Sequence, residues 1–170
     1  AVCTGGNNGC SQGFQFNFNT AGVSPTVGDT YTFAVTYSDT TTGNITATVT
    51  GVLTAFATDL SPAVTSSTLT PTFTWIDPAN AANYTYSFSL SPQSGGNNIW
   101  QVPGNNSNSN GFSSTITSIP WITSGNDVTG ASNNLPTVNA LTSGATYNWQ
   151  IQVQDSNGNQ ATQQHYFVAQ

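Results

Sequence analysis

From Tyr147 onward the apolar residues fall at every second position: Tyr147, Trp149, Ile151 and Val153, with Asn148, Gln150, Gln152 and Gln154 between them. A period of two buries one face of a strand and wets the other. Asn157-Gly158 behind it is a strong two-residue hairpin signal, because both turn positions accept a positive φ. With those two residues as the turn, Trp149 lies opposite Tyr166 and Tyr147 opposite Val168. The pattern thus predicts a hairpin whose buried faces agree. It leaves His165 facing away from the core, opposite Gln150.

The same alternation runs through the rest of the chain. Phe14, Phe16 and Phe18 alternate with Gln15, Asn17 and Asn19. Tyr31, Phe33, Val35 and Tyr37 predict a second strand, and Ile45 to Thr54 a third, giving a three-stranded meander. A meander needs a second sheet about 10 Å away to cover its apolar face. Residues 1–57 hold no further strand signal, so they read as a smaller, incomplete β-sandwich with an open groove lined by Phe14, Phe16, Phe18, Tyr31, Phe33 and Val35. A Ser/Thr/Pro-rich stretch around Asp59-Leu60-Ser61-Pro62 marks the boundary to a second domain, residues 58–170. There Phe73 and Trp75 predict a strand ending at Asp77-Pro78. Tyr84, Tyr86, Phe88 and Leu90 predict another, followed by Ile99 to Val102 and Phe112 to Trp121. No helical period occurs, and the chain reads as all-β.

Leu141, Gly144 and Tyr147, ahead of alternating hydrophobics, resemble the E–F corner of a fibronectin type III domain within the immunoglobulin-like β-sandwich class. Trp75 in Pro-Thr-Phe-Thr-Trp resembles the tryptophan of that family's second strand. The resemblance spans about residues 59–170 and implies a two-sheet sandwich in which the Tyr147 hydroxyl bonds to nearby backbone. Ser113 to Thr137 departs from it as a longer insertion. A sandwich of this kind hosts many unrelated roles, so the resemblance implies a fold and no activity.

Composition narrows the function classes. The 170 residues include no Lys or Arg, six acidic residues, all Asp, and one His. Ordinary chains are about 25% charged, whereas this one is 4% charged and 11% aromatic. Disorder calls for high charge and few aromatics, the reverse of what is found. Nucleic-acid binding draws on Lys and Arg, as does a polybasic membrane patch, so neither partner is expected. No apolar run approaches the roughly 20 residues that cross a bilayer. The start at Ala1 without Met reads as a mature secreted product. With almost no group able to become positive, acid neutralises the Asp residues without building positive self-repulsion. Trypsin-like proteases find no cleavage site. These properties suit a durable extracellular material.

Candidate chemistry is sparse. Cys3 and Cys10 are most simply one disulfide in a secreted chain, a clip contributing about 2–3 kcal/mol; a bridge to another subunit is the alternative. His165 lacks a Gly-x-Ser-x-Gly elbow or any other catalytic setting. Asp29, Asp39, Asp77 and Asp155 sit at expected turns, where Asp bonds local backbone, and Asp59 and Asp127 in linker or loop. No catalytic pair results, and an enzyme is not expected. Asp155-Ser-Asn-Gly-Asn offers oxygens to Ca²⁺ but has no second acidic residue nearby, so no metal or cofactor is expected. Trp100 and Trp121 are weighed as a platform for sugar rings against burial in the sandwich. Asn44, Asn83 and Asn105 begin N-glycosylation patterns.

Together these readings lead to an expectation: a secreted structural subunit of an extracellular filament, partnered by copies of itself through β-strand donation. A carbohydrate-binding or adhesive module of a larger secreted protein, contacting glycans or surfaces, is the alternative.

Overall fold

The computed structural model describes residues 24–37, 39–104, 111–130 and 134–170. The chain divides into two compact units, Ala1–Val52 and Leu53–Gln170.

The described part of the first unit is an antiparallel ribbon of β1 (Thr30–Thr36) and β2 (Thr42–Thr48). Its register places Tyr31 against Ala47, Phe33 against Ile45 and Val35 against Gly43. Asp39 shapes the connecting turn: its Oδ1 accepts from the Thr41 N–H at 3.0 Å and from the Thr41 hydroxyl at 2.6 Å. The Tyr37 N–H donates to the Thr41 carbonyl at 2.8 Å. The third strand expected over Ile45 to Thr54 ends at Thr48. Phe14, Phe16 and Phe18, and the Cys3–Cys10 clip, lie outside the described residues.

The second unit is a β-sandwich. Its larger sheet has the order β4 (Thr65–Ser66), β10 (Gln160–Ala169), β9 (Thr146–Gln154), β6 (Thr85–Pro92), β7 (Trp100–Val102). The smaller sheet has the order β3 (Thr58–Ser61), β5 (Phe73–Ile76), β8 (Ser118–Ile119). All sheet pairings are antiparallel except β4 with β10, which is parallel. Helical structure among the described residues is one 3₁₀ turn, Ala81–Asn83.

Alternation accounts for the central strands. β6 and β9 each bury every second residue, with Tyr86, Phe88, Leu90 and Tyr147, Trp149, Ile151, Val153 facing inward. Phe73 on the opposite sheet is fully buried and is the hub of an aromatic cluster. Its ring lies 4.9 Å from Phe88, 5.1 Å from Trp149, 6.0 Å from Phe167 and 6.2 Å from Trp100. Edge-on and tilted contacts of this kind add to the large apolar area each ring removes from water. Ala57 is buried in the same core, and Leu53 packs against it.

The corner ahead of β9 is tied as the residues around Tyr147 suggest. The Thr142 N–H donates to the Tyr147 hydroxyl at 3.0 Å. Gly144 adopts φ +78, and the Leu141 N–H donates to the Leu69 carbonyl at 2.8 Å.

The closing hairpin differs from expectation by one residue. Gln154 pairs with Gln160, so the connection is the five-residue loop Asp155–Asn159 and not a two-residue Asn157-Gly158 turn. Trp149 consequently faces His165, and Tyr147 faces Phe167. A one-residue slip transfers every side chain of a strand to the other face. Ala161, Phe167 and Ala169 are therefore buried, Tyr166 is 46% exposed, and His165 sits half-buried on the core side. The cause is Asp155. Its Oδ1 accepts from the N–H groups of Asn157 and Asn159, both at 2.9 Å, and its Oδ2 from the Asn159 side-chain amide at 2.8 Å. Three hydrogen bonds to one carboxylate outweigh the local preference of Asn-Gly for a tighter turn.

Two further expectations change. Only Ser118–Ile119 of the stretch Phe112 to Trp121 is a strand, while Phe112 makes a single bridge to Tyr86. The stretch read as linker contains β3 and β4, and Asp59 sits in an irregular pairing of β3 at φ +50. Asp tolerates that left-handed conformation better than most side chains.

Candidate functional site

The β1–β2 ribbon has two chemically distinct faces. Tyr31, Phe33 and Val35 project with Ala47, Ile45 and Gly43, while Thr30, Thr32, Ala34 and Thr36 project with Thr48, Thr46, Asn44 and Thr42. The three described members of the expected groove thus share one apolar face, as a period of two requires. Phe33 is 37% and Ile45 47% exposed. Tyr31 and Val35 are half-buried. Tyr37 extends the apolar surface beyond the end of β1, its ring 3.3 Å from where a side chain at Gly43 would begin, and is itself 49% exposed. Among the described residues, β1 and β2 pair only with each other.

The entry to this ribbon is held by Asp29. Its Oδ2 accepts from the Thr26 N–H at 2.8 Å, from the Thr26 hydroxyl at 2.9 Å and from the Tyr31 hydroxyl at 3.4 Å. The Thr26 bonds hold the Asp29 carboxyl below the ordinary carboxylate range. The Thr41 bonds do the same for Asp39. Both carboxylates are employed in turn geometry.

In the second unit Trp75, Trp100 and Trp149 are buried. Trp100 is buried, and its indole N–H donates to the Asn134 carbonyl at 2.7 Å. Trp121 is half-buried against Trp100 at 5.5 Å, with its N–H donating to the Asn139 carbonyl at 2.9 Å. Burial removes Trp100 as a sugar-stacking surface, whereas Trp121 is only partly covered. Trp149 donates to the Pro62 carbonyl at 2.8 Å, and Trp75 to Asp77 Oδ1 at 2.9 Å. Burial pushes the Asp77 carboxyl above its ordinary value despite the Trp75 bond. Burial likewise pushes the Tyr86 phenol up to about 12, with Asp77 and Tyr84 adding to the effect.

An open cleft of about 390 Å³ lies between the 3₁₀ turn and the Asp155–Asn159 loop, lined by Asn83, Tyr84, Thr85, Gln154, Asp155 and Ser156 among others. The hydrogen bonds from Asn159, and those from the backbone of Asn157 and Gly158, hold the Asp155 carboxyl low. Of the candidate glycan acceptors, Asn83 is exposed at this cleft and Asn44 is exposed on the threonine face of β2. Asn105 lies outside the described residues. No group of three or more His, Cys, Asp or Glu side chains positioned for a metal occurs among the described residues.

Sequence reasoning missed a third feature, the outer edge of β10. β4 pairs only with Val168 and Ala169. From Gln160 to Phe167 the strand has no partner on its far side among the described residues. The absence of charge between Gln160 and Ala169, apart from His165, was the legible signal. The length of the open edge was hidden in the pairing of β4.

No protein-family model matches the chain, and a search of curated proteins finds no match.

Proposed function

We propose that this protein is a structural subunit of an extracellular filament or surface appendage, assembled head-to-tail by β-strand donation. The observation that carries the reading is the β1–β2 ribbon, with Phe33, Ile45 and Tyr37 each more than a third exposed on or beside one apolar face. A two-stranded ribbon is marginally stable alone in water and gains from a further strand or a covering layer. An incoming extended segment satisfies edge backbone groups and lays alternate side chains on the apolar face. Head-to-tail contacts that do not close grow a fibre.

In this reading the donor is the amino-terminal segment of a neighbouring copy. The carboxy-terminal strand is a poor donor, since β10 is paired along β9 and buries Phe167 and Ala169 in its own sandwich. The second unit is then a fibronectin type III-like spacer. The Tyr147 corner and the three-stranded sheet facing a larger one support that assignment. A chain without Lys or Arg suits a secreted material.

Electron microscopy of the full-length chain tests the proposal. Filaments are expected, and Phe33→Asp with Ile45→Asp should leave soluble protein that forms no filaments, as should removal of residues 1–12. Filaments that persist in both variants overturn the reading.

The cleft at Tyr84 favours a second reading, a module that binds neutral glycans. It offers one aromatic ring beside amide and hydroxyl groups. Titration with neutral oligosaccharides should show saturable binding that Tyr84→Ala abolishes; absence of binding removes this reading.

A further inference from the structure

The two ends of β10 reveal which way its backbone groups point. The Val168 N–H donates outward to the Val64 carbonyl at 2.9 Å, whereas the Ala169 N–H donates inward to Ala145 at 3.0 Å. Directions alternate along a strand. Tyr166, Gln164, Thr162 and Gln160 therefore also turn their N–H and C=O groups outward, to an edge that no described residue covers. Their side chains leave that edge clear. On the solvent face Gln152 donates to Gln160 Oε1 at 3.2 Å and to Thr162 at 3.5 Å, and Asn148 donates to Gln164 Oε1 at 3.3 Å.

Soluble proteins guard a long edge with lysine, inward charge, proline, a bulge or a covering loop. The Gln160–Phe167 edge has no Lys, Asp, Glu or Pro, and its pairing with β9 runs without a register shift. We propose that the β10 edge pairs antiparallel with the β10 edge of a second copy, across a two-fold axis passing through Gln163, to join two sandwiches into one continuous sheet.

The register follows from what is already occupied. Pairing that matches outward groups with outward groups sets Gln160 opposite Tyr166 and Thr162 opposite Gln164, with Gln163 opposite itself. It spares Val168, whose N–H belongs to Val64. The match supplies about eight new backbone hydrogen bonds, two for each outward-facing pair. It brings no like charges together, because His165 meets Ala161. The half-exposed Tyr166 ring lies over Gln160. A second copy is favoured over an unrelated strand because every position finds a compatible partner in itself, and the absence of Asp, Glu, Lys and Arg from Gln160–Ala169 leaves no like-charge contact across the paired edges. The pairing involves only the second unit and stands apart from strand donation at the first; failure of the filament test leaves it intact.

Site-directed cross-linking of the full-length chain tests the register. In a non-hydrogen-bonded antiparallel pair, opposed residues approach closely enough for a disulfide. Under mild oxidation Gln163→Cys should yield a covalent dimer on a non-reducing gel, at least about tenfold more than Gln164→Cys, whose opposite residue is Thr162. Adding Thr162→Lys and Gln164→Lys sets like charges opposite one another and should lower the dimer yield by about tenfold or more. An equal mixture of that chain with one carrying Gln163→Cys, Thr162→Asp and Gln164→Asp should restore it. Equal yields from Gln163→Cys and Gln164→Cys, or indifference to the lysines, overturn the proposal. So does a mixed disulfide from position 163 to Cys3 or Cys10, which would put the amino-terminal segment on this edge.

Discussion

The register of the closing hairpin is open to a direct energetic test, because the two readings exchange the roles of neighbouring aromatic residues. With a two-residue turn Tyr166 would be inside and Phe167 outside. In the structure Phe167 is 1% exposed, its ring 6.0 Å from Phe73 and 5.9 Å from Tyr147, whereas Tyr166 is 46% exposed. Truncating a buried phenylalanine costs about 3–5 kcal/mol, from lost transfer energy and the cavity left behind. A half-exposed surface residue costs about 0.5 kcal/mol or less. Phe167→Ala should thus lower the urea midpoint by about 2 M, given a slope of about 2 kcal/mol per molar, while Tyr166→Ala should leave it nearly unchanged. All four tryptophans, Trp75, Trp100, Trp121 and Trp149, lie in the second unit. Tryptophan emission during the titration accordingly follows that unit alone, undisturbed by the first. Equal losses from the two variants, or a larger loss from Tyr166→Ala, would refute both the five-residue loop and the outward directions deduced for β10.

Other outcomes follow from the same contacts. Tyr147→Phe removes the acceptor of the Thr142 N–H and should cost about 1–3 kcal/mol in the same titration, since the donor is left unpaired in a part-buried corner. Burial raises the Asp77 carboxyl, so its contribution favours the fold below the unfolded pKa and is lost as pH rises through the higher folded value. Asp77→Asn keeps an acceptor for Trp75 and should raise the urea midpoint at pH 7 while giving no gain at pH 3. Asp39 and Asp155 carry the opposite sign: their lowered carboxyls stabilise the turns above the unfolded pKa, and this is lost as pH falls through the depressed folded values. Amide exchange at Asn157 and Asn159 should accelerate in Asp155→Ala, and an unchanged rate would show that the carboxylate does not hold the loop.

The central strands were legible because only one face of each is apolar. Tyr86, Phe88 and Leu90, and Trp149, Ile151 and Val153, leave no choice of inward face. β10 was not, since Tyr166, Phe167, Val168 and Ala169 supply apolar side chains to both faces and alternation alone cannot pick one. The decision then falls to the loop, where a carboxylate bonding to Asn157 and Asn159 overrides the Asn-Gly preference. β3 and β4 escaped notice because Thr58–Ser61 has one apolar residue and Thr65–Ser66 none, too few to show a period. Their existence depends on pairing with distant neighbours. On β1 the shared face of Tyr31, Phe33 and Val35 was readable, since they alternate with Thr and Ala. The open edge of β10 was not, because edges are defined by what fails to pair, which only the assembled sheet reveals.

The parallel run of β4 beside the end of β10 has a mechanical consequence. Tension that draws Leu53 and Gln170 apart along the strand axis loads the β4–β10 hydrogen bonds side by side, in shear, and not one after another as in unzipping. A subunit suspended by its two ends would hold until those bonds rupture together. Val168→Pro, which deletes the N–H given to Val64, should turn a single abrupt yield under pulling into a gradual one.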